Sequence, residues 1–197
     1  EKERREGERE REKIFCGVYT MGTRHGGTVK DIRDTWGKRC DKWISFSTTN
    51  DFSLPAVYIP HEGEESYQNM YNKIRAIWKY IYVHYYHSSQ YDWFLLGGDD
   101  LYVIIENLRT YLRSDEIKRK RERGEGVYLG RRVYRKVMRL PHFVYNTGES
   151  GYILDRVALH HLIRYIDNRV CRAHEKVSWE DVHIGLCLLT IANITVI

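Results

Sequence analysis

Hydrophobic side chains between residues 64 and 86 recur at intervals of three and four residues. This spacing places them on one face of an α-helix, because each helical turn takes 3.6 residues. We predict a helix over this range whose aromatic stripe packs in the core; a carbohydrate platform is the alternative interpretation of the same side chains. The stripe comprises Tyr67, Met70, Tyr71, Ile74, Ile77, Trp78, Ile81, Tyr82 and Tyr85.

Short β-prone runs alternate with helical patterns along the rest of the chain. Residues 14–21 lead into a glycine-rich loop, and residues 91–96 form an apolar run with one charged residue that is long enough for a buried strand. Strands that alternate with helices indicate an α/β sandwich with a largely parallel sheet, whose ligands bind at the carboxyl ends of the strands. The remaining predicted strands span residues 42–47, 56–59, 127–133 and 143–145, and the remaining helices span residues 28–38, 101–112 and 155–166.

The chain has 197 residues, 42% of them hydrophobic, which is enough to bury one sizeable core. Residues 1–13 are almost entirely Glu, Lys and Arg and contain no apolar stripe. We therefore predict that they form a disordered charged stalk or tail and that residues 14–197 form a single domain. No run approaches the roughly 18 to 20 apolar residues of a membrane-spanning helix.

The net charge of +5 is concentrated between residues 113 and 139, where eleven Lys or Arg accompany four Asp or Glu. A basic stretch of this kind can attract phosphate, nucleic acid or an anionic membrane. Its most basic part, residues 118–123, lacks the interleaved aromatic side chains on which bases stack. We therefore expect a solvated loop, with a binding surface as the alternative interpretation, and no nucleic-acid partner.

Asp99 and Asp100 follow the predicted strand at residues 91–96, after two glycines that let the backbone approach a ligand closely. Adjacent carboxylates can hold a hard divalent cation through oxygen and leave coordination positions for a diphosphate. Such a cation would neutralise the charge that builds on a departing diphosphate. The alternative interpretation is a solvated Gly-Gly-Asp-Asp turn.

Glu180 and Asp181 form a second acidic pair, which opens the apolar segment at residues 182–189. One of them could act as a general base that takes the proton from an acceptor hydroxyl. Alternatively, both could favour a helix N-terminus through its dipole.

The four cysteines are Cys16, Cys40, Cys171 and Cys187, without a C-x-x-C motif. Zinc binding is therefore not expected. Three disulfide connectivities, or four free thiols, are compatible with these positions, and the residues alone do not choose among them. Pairing the cysteines that are neighbours in sequence would close two short loops.

Seven blocks in a fixed order carry a family resemblance; they are CGVYTM, IRDTWGKRC, ESYQNMYNK, YDWFLLGGDDLYVIIENLR, YLGRR, GESGYIL and EDVHIGLCL. Together they resemble the β1,3-glycosyltransferases of family 31, and in particular the core 1 β1,3-galactosyltransferase and Fringe-like groups. The resemblance implies a GT-A fold, which is a three-layer α/β sandwich with a mostly parallel central sheet. It also implies Mn²⁺ or another divalent cation and inverting transfer of galactose from UDP-galactose to a GalNAc-type O-glycan acceptor on a glycoprotein.

Other properties of such proteins follow as expectations from the same resemblance. They are a location in the Golgi lumen as a type II membrane protein and an anchor upstream of this sequence. A homodimer is one candidate oligomeric state, which the sequence does not decide. The alternatives are a Fringe-like β1,3-N-acetylglucosaminyltransferase and a catalytically weak homologue that acts as a chaperone or binding protein.

The family motifs assign roles to individual positions. Asp100 takes the place of the direct metal ligand, with Asp99 beside it, and the catalytic base falls within Glu180 and Asp181, of which we favour Asp181. The nucleotide-sugar-binding positions are Thr20, Arg24, Arg33, Trp36, Gly98 and Asp99; the acceptor-binding positions are Trp179, Gly151 and Tyr152; the disulfides are Cys16–Cys40 and Cys171–Cys187.

Two departures from the family pattern concern the metal site. Gly98 stands where the acidic triplet of the family has its first Asp. The family also has a C-terminal histidine that completes the metal site, and no residue after Glu180–Asp181 matches it before Ile197. We expect either that this histidine lies further downstream or that the metal site is incomplete.

Overall fold

The structure is a computed structural model that describes residues 11–88, 90–137 and 140–197. The first ten residues of the predicted stalk lie outside this range. The last residues of the predicted stalk belong to the fold, because Glu12 accepts a hydrogen bond from the indole Nε1 of Trp93 at 2.5 Å and the backbone N–H of Lys13 donates to Asp92 at 3.0 Å. The folded region therefore begins before residue 14.

Within the described residues, eight strands and six α-helices are joined by loops and by short 3-10 and π turns. The strands are β1 (Ile14–Tyr19), β2 (Lys42–Ser47), β3 (Ala56–Tyr58), β4 (Trp93–Gly98), β5 (Tyr128–Gly130), β6 (Arg132–Val137), β7 (Leu140–Asn146) and β8 (Tyr152–Asp155). The helices are α1 (Lys30–Asp34), α2 (Met70–Ile81), α3 (Ile105–Leu112), α4 (Asp115–Glu122), α5 (Arg156–Tyr165) and α6 (Glu180–Ala192).

Six strands form the central sheet in the order β3-β2-β1-β4-β8-β5, and β6 and β7 form a separate antiparallel pair. Strands β1 to β4 run parallel to one another, whereas β8 runs antiparallel between β4 and β5. The prediction of an α/β fold with a mostly parallel central sheet is confirmed.

Side chains alternate between the two faces of the central sheet, as the pleat requires. Phe94 and Leu96 pack in one core with α2, α5 and α6, whereas Trp93 and Leu95 pack in a second core with α1, α3 and α4. Burial of Trp78 alone contributes about 3 kcal/mol by removing apolar surface from water. The helices thus cover both faces and make three layers, which leaves the strand ends accessible.

The helix predicted at residues 64–86 is shorter and interrupted. A 3-10 turn, Tyr67–Asn69, precedes α2, and a π turn, Tyr82–Tyr86, follows it. The core prediction is correct for the stripe residues within 71–81, which are buried, and wrong for Tyr67, which is 70% exposed. Ser66 has an extended backbone, with φ −150° and ψ 156°, so the helical face of α2 does not continue back to Tyr67.

Four other predicted elements differ from the structure. The helix predicted at residues 28–38 is shortened to α1, because Thr35 has a non-helical backbone with φ −112° and ψ −102°. Residues 127–133 divide into β5 and β6, which belong to different sheets. The helix predicted at 101–112 begins only at Ile105, because Ile104 is extended. The expected solvated loop contains α4, whose Ile117 is fully buried and whose first turn carries two acidic residues that favour a helix N-terminus.

The disulfides Cys16–Cys40 and Cys171–Cys187 are both formed, so the pairing implied by the resemblance is confirmed. The first ties β1 to the residue that follows the 3-10 turn Gly37–Arg39, and the second ties a 3-10 turn to α6. Among the described residues, no helix is long and apolar enough to cross a membrane.

Candidate active site

A cleft of about 600 Å³ opens where β1 and β4 end at the carboxyl edge of the central sheet. Asp99 and Asp100 directly follow β4, and Glu180 and Asp181 begin α6. All four carboxylic side chains line the cleft, although the two pairs are far apart in the sequence. The fold therefore brings both acidic pairs to the strand ends at which a parallel sheet binds its ligands.

Asp99 is held by three donors from the segment that follows β1. Its Oδ2 atom accepts hydrogen bonds from the hydroxyl groups of Thr20 at 2.6 Å and Thr28 at 3.4 Å, and it forms an ion pair with the Nε atom of Arg24 at 2.7 Å. These contacts fasten the glycine-rich loop, residues 22–27, to the end of β4. Because one oxygen already has three partners, Asp99 is better suited to positioning Arg24 than to binding a metal.

Asp100 has a different environment, because its side chain is exposed to the cleft. Within the part of the chain that the structure describes, no side chain forms an ion pair with it. A Cβ atom at Gly98 would lie 2.8 Å from the Oδ1 atom of Asp100 and 3.4 Å from the ring of Tyr19. Because glycine has no side chain, the Asp100 carboxylate can occupy the space beside Gly98.

The resemblance implies a divalent cation. The cleft can hold one only if molecules other than the protein supply part of its coordination. Across residues 11–88, 90–137 and 140–197, no three His, Cys, Asp or Glu side chains come together as a metal site. Asp100 nevertheless offers carboxylate oxygens, which hard divalent cations prefer. Water and the oxygens of a bound diphosphate would have to complete the coordination.

The charge of the cleft favours such a cation. Arg24 and Lys73 are the positive side chains of its described lining, and each already pairs with a carboxylate, Asp99 and Glu65 respectively. The remaining carboxylates, which include Asp100, leave an excess of negative charge. This excess would repel a diphosphate unless a cation binds together with it.

Glu180 is the buried member of the second pair, with 3% of its surface exposed. Its Oε2 atom accepts a hydrogen bond from the Tyr152 hydroxyl at 2.9 Å, and that hydroxyl accepts one from the indole Nε1 of Trp78 at 3.1 Å. Burial, reinforced by the nearby charge of Asp181, raises the pKa of Glu180 to about 8. The side chain is therefore mainly protonated at neutral pH and is a poor general base.

Asp181 is the partly exposed member of the pair. Its Oδ2 atom accepts the backbone N–H of Gly148 at 2.9 Å, and its Oδ1 atom accepts the N–H of Val182 at 2.8 Å. These two bonds fix the carboxylate at the N-terminus of α6 while leaving part of it open to the cleft. Of the two acidic side chains, Asp181 is thus better suited to take a proton from a bound hydroxyl group.

Tyr19, at the end of β1, lies between the two acidic pairs and was not predicted as a site residue. Added Cβ atoms at Gly98 and Gly148 would lie 3.4 Å from its ring and 3.6 Å from its hydroxyl oxygen, respectively. Burial, followed by the charges of Glu180, Asp100 and Asp181, raises the pKa of Tyr19. The phenol therefore stays protonated and can donate a hydrogen bond inside the cleft.

Lys73 is a second site residue that sequence reasoning missed. Its buried Nζ atom donates to the backbone oxygen of Thr20 at 2.7 Å and to Glu65 at 2.5 Å. The signal was available, because Lys73 is a charged residue flanked by core positions of α2, where a charge needs a partner. The other lining residues missed by sequence reasoning include Glu65, Tyr67, Met70, Tyr145, Thr147, Gly148, Glu149 and Ser178.

Two predicted nucleotide-binding residues do not line the cleft. Arg33 lies on α1 and pairs with the neighbouring Asp34 at 2.7 Å. Trp36 is almost fully buried in the second core, and its indole N–H donates to the backbone oxygen of Leu101 at 3.0 Å. The structure therefore gives Arg33 an ion pair on the surface and gives Trp36 a packing role.

Two predicted acceptor-binding residues also lie outside the cleft lining. Tyr152 is fully buried and reaches the site only through its hydrogen bond to Glu180. Gly151 has a φ of +66°, which favours glycine, and an added Cβ atom would lie 2.8 Å from a side-chain carbon of Leu101. The predicted residues that do line the cleft are Thr20, Arg24, Gly98, Asp99, Asp100, Trp179, Glu180 and Asp181.

Similarity to known proteins extends over nearly the whole chain. A family model described as Fringe-like matches residues 9–197. The chain is 27% identical over 176 residues to glycoprotein-N-acetylgalactosamine 3-beta-galactosyltransferase 1 of Xenopus laevis, which covers 89% of the chain and 44% of that protein. It is 24% identical over 194 residues to chondroitin sulfate synthase 3 of Homo sapiens, which covers 91% of the chain and 21% of that protein.

The chain thus spans less than half the length of these two relatives. Among solved structures, it is similar to a glycosyltransferase involved in the glycosylation of the major capsid of PBCV-1. The TM-score is 0.43 with 13% sequence identity, and the match covers 82% of this chain and 66% of that one.

Proposed function

The chain belongs to the Fringe-like family, and from this premise we propose that it is an inverting β1,3-glycosyltransferase that moves galactose from UDP-galactose to a GalNAc-type O-glycan acceptor on protein. The observation that carries the proposal is the meeting of Asp99, Asp100 and Asp181 in one cleft at the strand ends. The choice of donor and acceptor is supported by the name of the Xenopus laevis relative, which is a galactosyltransferase acting on glycoprotein N-acetylgalactosamine.

The donor would bind where the glycine-rich loop meets the end of β4. Asp99 holds Arg24 at this edge through the ion pair of 2.7 Å, so the guanidinium group would lie beside a bound diphosphate, although its charge is already balanced by Asp99. Thr20 and Gly98 line the same part of the cleft. Mn²⁺, held by Asp100 and by the diphosphate itself, would neutralise the charge of the departing UDP.

Asp181 is the proposed general base. As the 3-hydroxyl oxygen of the acceptor forms its bond to the anomeric carbon of galactose, the bond from that carbon to UDP breaks, and the hydroxyl proton passes to the Asp181 carboxylate. Attack from the face opposite UDP inverts the configuration. Glu180 stays protonated beside it, so Asp181 is not opposed by a second full negative charge.

A transfer assay with UDP-galactose, Mn²⁺ and methyl α-N-acetylgalactosaminide tests this function. We expect a β1,3-linked disaccharide and stoichiometric UDP release from the unmodified protein. Asp181→Asn should lower kcat by about a thousandfold, since general bases contribute roughly 10²- to 10⁴-fold. Asp31→Asn, an exposed residue of α1 outside the cleft lining, is the matched control and should leave the rate unchanged. Full activity of Asp181→Asn would contradict the assigned base.

Two alternatives are each favoured by one observation. The Fringe-like family match favours transfer of N-acetylglucosamine, which a competition between UDP-galactose and UDP-N-acetylglucosamine in the same assay would reveal. Gly98, which supplies no carboxylate, favours a catalytically weak homologue that acts as a chaperone or binding protein. In that case, the assay would show neither disaccharide nor UDP release with either donor.

The Golgi lumen is the proposed location. The two disulfides support it, because such bonds form and persist in oxidising compartments of the secretory route and are rare in the cytosol. Immunofluorescence of the full-length gene product against a Golgi marker would test this location.

A further inference from the structure

Two large aromatic side chains remain exposed where they line the cleft. Tyr67 is 70% exposed and Trp179 is 51% exposed. We refer to these two residues as the aromatic rim. Trp179 directly precedes the acidic pair of α6, whereas Tyr67 belongs to the 3-10 turn that precedes α2.

A backbone contact brings the two sides of the aromatic rim together. The N–H of Tyr71, in the first turn of α2, donates to the backbone oxygen of Val177 at 3.1 Å. Tyr67 lies four residues before Tyr71, and Trp179 lies two residues after Val177. The hydrogen bond therefore joins the segment that carries Tyr67 to the segment that carries Trp179.

The backbone that carries Tyr67 is fixed by buried hydrogen bonds. The side-chain Nδ2 of the buried Asn69 donates to the backbone oxygens of Glu62 at 2.7 Å and Glu64 at 2.9 Å, and Asn69 Oδ1 accepts from Asn72 at 2.7 Å. The loop before Tyr67 and the first turn of α2 are thereby held to each other. Tyr67 is thus presented from an ordered turn, which lowers the entropic cost of binding a ligand against it.

An exposed aromatic ring beside polar groups suits a sugar. One face of a pyranose ring carries C–H groups that pack on an aromatic ring, while its hydroxyl groups hydrogen bond to the polar groups around it. The cleft supplies both kinds of partner, since the aromatic rim shares its lining with Thr147, Glu149 and Asp181.

Resting on the transferase function proposed above, we propose that Tyr67 is an acceptor-binding residue that packs, together with Trp179, on the acceptor sugar and sets acceptor selectivity. The acceptor, rather than the uracil base of the donor, is the occupant because Trp179 lies two residues before Asp181, where the reacting hydroxyl must lie, and both line the cleft. Asp99 and its partner Arg24 instead mark the donor side, at the end of β4.

The test compares Tyr67→Ala and Tyr67→Phe with Tyr134→Ala, a control at a tyrosine that is 76% exposed and outside the cleft lining. At saturating UDP-galactose, Tyr67→Ala should raise the KM for methyl α-N-acetylgalactosaminide about tenfold, as expected for the loss of one aromatic stacking contact. Tyr67→Phe keeps the ring and should behave like the unmodified protein, as should Tyr134→Ala. The affinity for UDP should be the same in all four proteins.

Two results would overturn the assignment of Tyr67. An unchanged acceptor KM in Tyr67→Ala would remove Tyr67 from the acceptor site, and weakened UDP binding in that variant would assign the ring to the uracil base.

Saturation-transfer NMR with methyl α-N-acetylgalactosaminide separates this inference from the proposed function. A signal from the pyranose C–H protons that is lost in Tyr67→Ala supports the acceptor site even if no transfer occurs, and no signal in the unmodified protein refutes it.

Discussion

Glu180→Gln tests whether the buried acid of the site is protonated. Glutamine has nearly the same shape as a protonated glutamic acid, so the substitution removes the ionisation and preserves the packing against Tyr152. We expect Glu180→Gln to be more stable than the unmodified protein at alkaline pH and similar to it near pH 5. The reason is that the buried carboxylate of Glu180 must otherwise ionise at a site that disfavours the charge.

The magnitude follows from the shift in pKa from 4.5 to about 8. Because the folded state binds this proton more tightly than the unfolded state, its stabilising contribution is fully present below pH 4.5 and is lost as the pH rises through about 8. Between these values, stability should fall by about 1.4 kcal/mol per pH unit relative to Glu180→Gln. The full difference above pH 8 is on the order of 5 kcal/mol.

The assay is urea unfolding followed by tryptophan fluorescence at five pH values from 5 to 9, with both disulfides intact. Glu122→Gln, at an exposed position of α4, is the matched control and should run parallel to the unmodified protein. The reasoning is refuted if the unfolding free energies of Glu180→Gln and the unmodified protein change in parallel across this pH range. Glu180 would then ionise alike in the folded and unfolded states.

Two further predictions concern the packing around the site. Gly148→Ala should destabilise the fold by about 1–3 kcal/mol in urea unfolding, because its Cβ atom would lie 2.3 Å from the Glu180 Oε1 atom; Gly26→Ala, which meets nothing within 4 Å, is the control. Replacing Cys171 and Cys187 together by alanine should cost about 3 kcal/mol, because the disulfide closes a loop of 16 residues; an unchanged urea midpoint would contradict this estimate.

Several features of the site could be predicted because their signals are local. The strand before Asp99 is a continuous apolar run, and acidic residues at its end are recognisable without knowledge of the neighbouring strands. The same holds for Asp181, which opens an apolar helix. The ends of β1 and β4 meet at one edge of the sheet because these strands are parallel, which alternating strands and helices already indicate. That Asp181 lies in the same cleft depends on the packing of α6, which no local signal predicts.

Other features depend on tertiary structure and left no clear local signal. Tyr67 has the spacing of a core residue, yet an extended Ser66 and a 3-10 turn place it at the cleft. The sequence around Tyr19 resembles that of any apolar strand, and its position between two acidic pairs is visible only once the N-terminus of α6 lines the same cleft. Trp36 follows a glycine-rich loop in sequence but turns into the second core.

The boundaries of the strands in the antiparallel part of the structure could not be predicted from the local sequence either. A single strand over residues 127–133 is consistent with their β-prone composition, whereas the structure ends β5 at Gly130 and begins β6 at Arg132. At Gly130 an added Cβ atom would lie 2.8 Å from Asn146, so the close approach of β7 requires glycine there. The sequence near Gly130 does not indicate which strand packs against it, because that depends on the whole fold.

The central claim is that Asp100 binds a cation shared with the diphosphate of a sugar nucleotide, and isothermal titration of UDP with and without Mn²⁺ tests it most directly. We predict Mn²⁺-dependent binding in the unmodified protein and in the control Asp31→Ala, and at least about a tenfold loss of affinity in Asp100→Ala or when Mn²⁺ is omitted. The account is contradicted if the affinity for UDP is unchanged both by Asp100→Ala and by omission of Mn²⁺. It is also contradicted if the unmodified protein does not bind UDP at all.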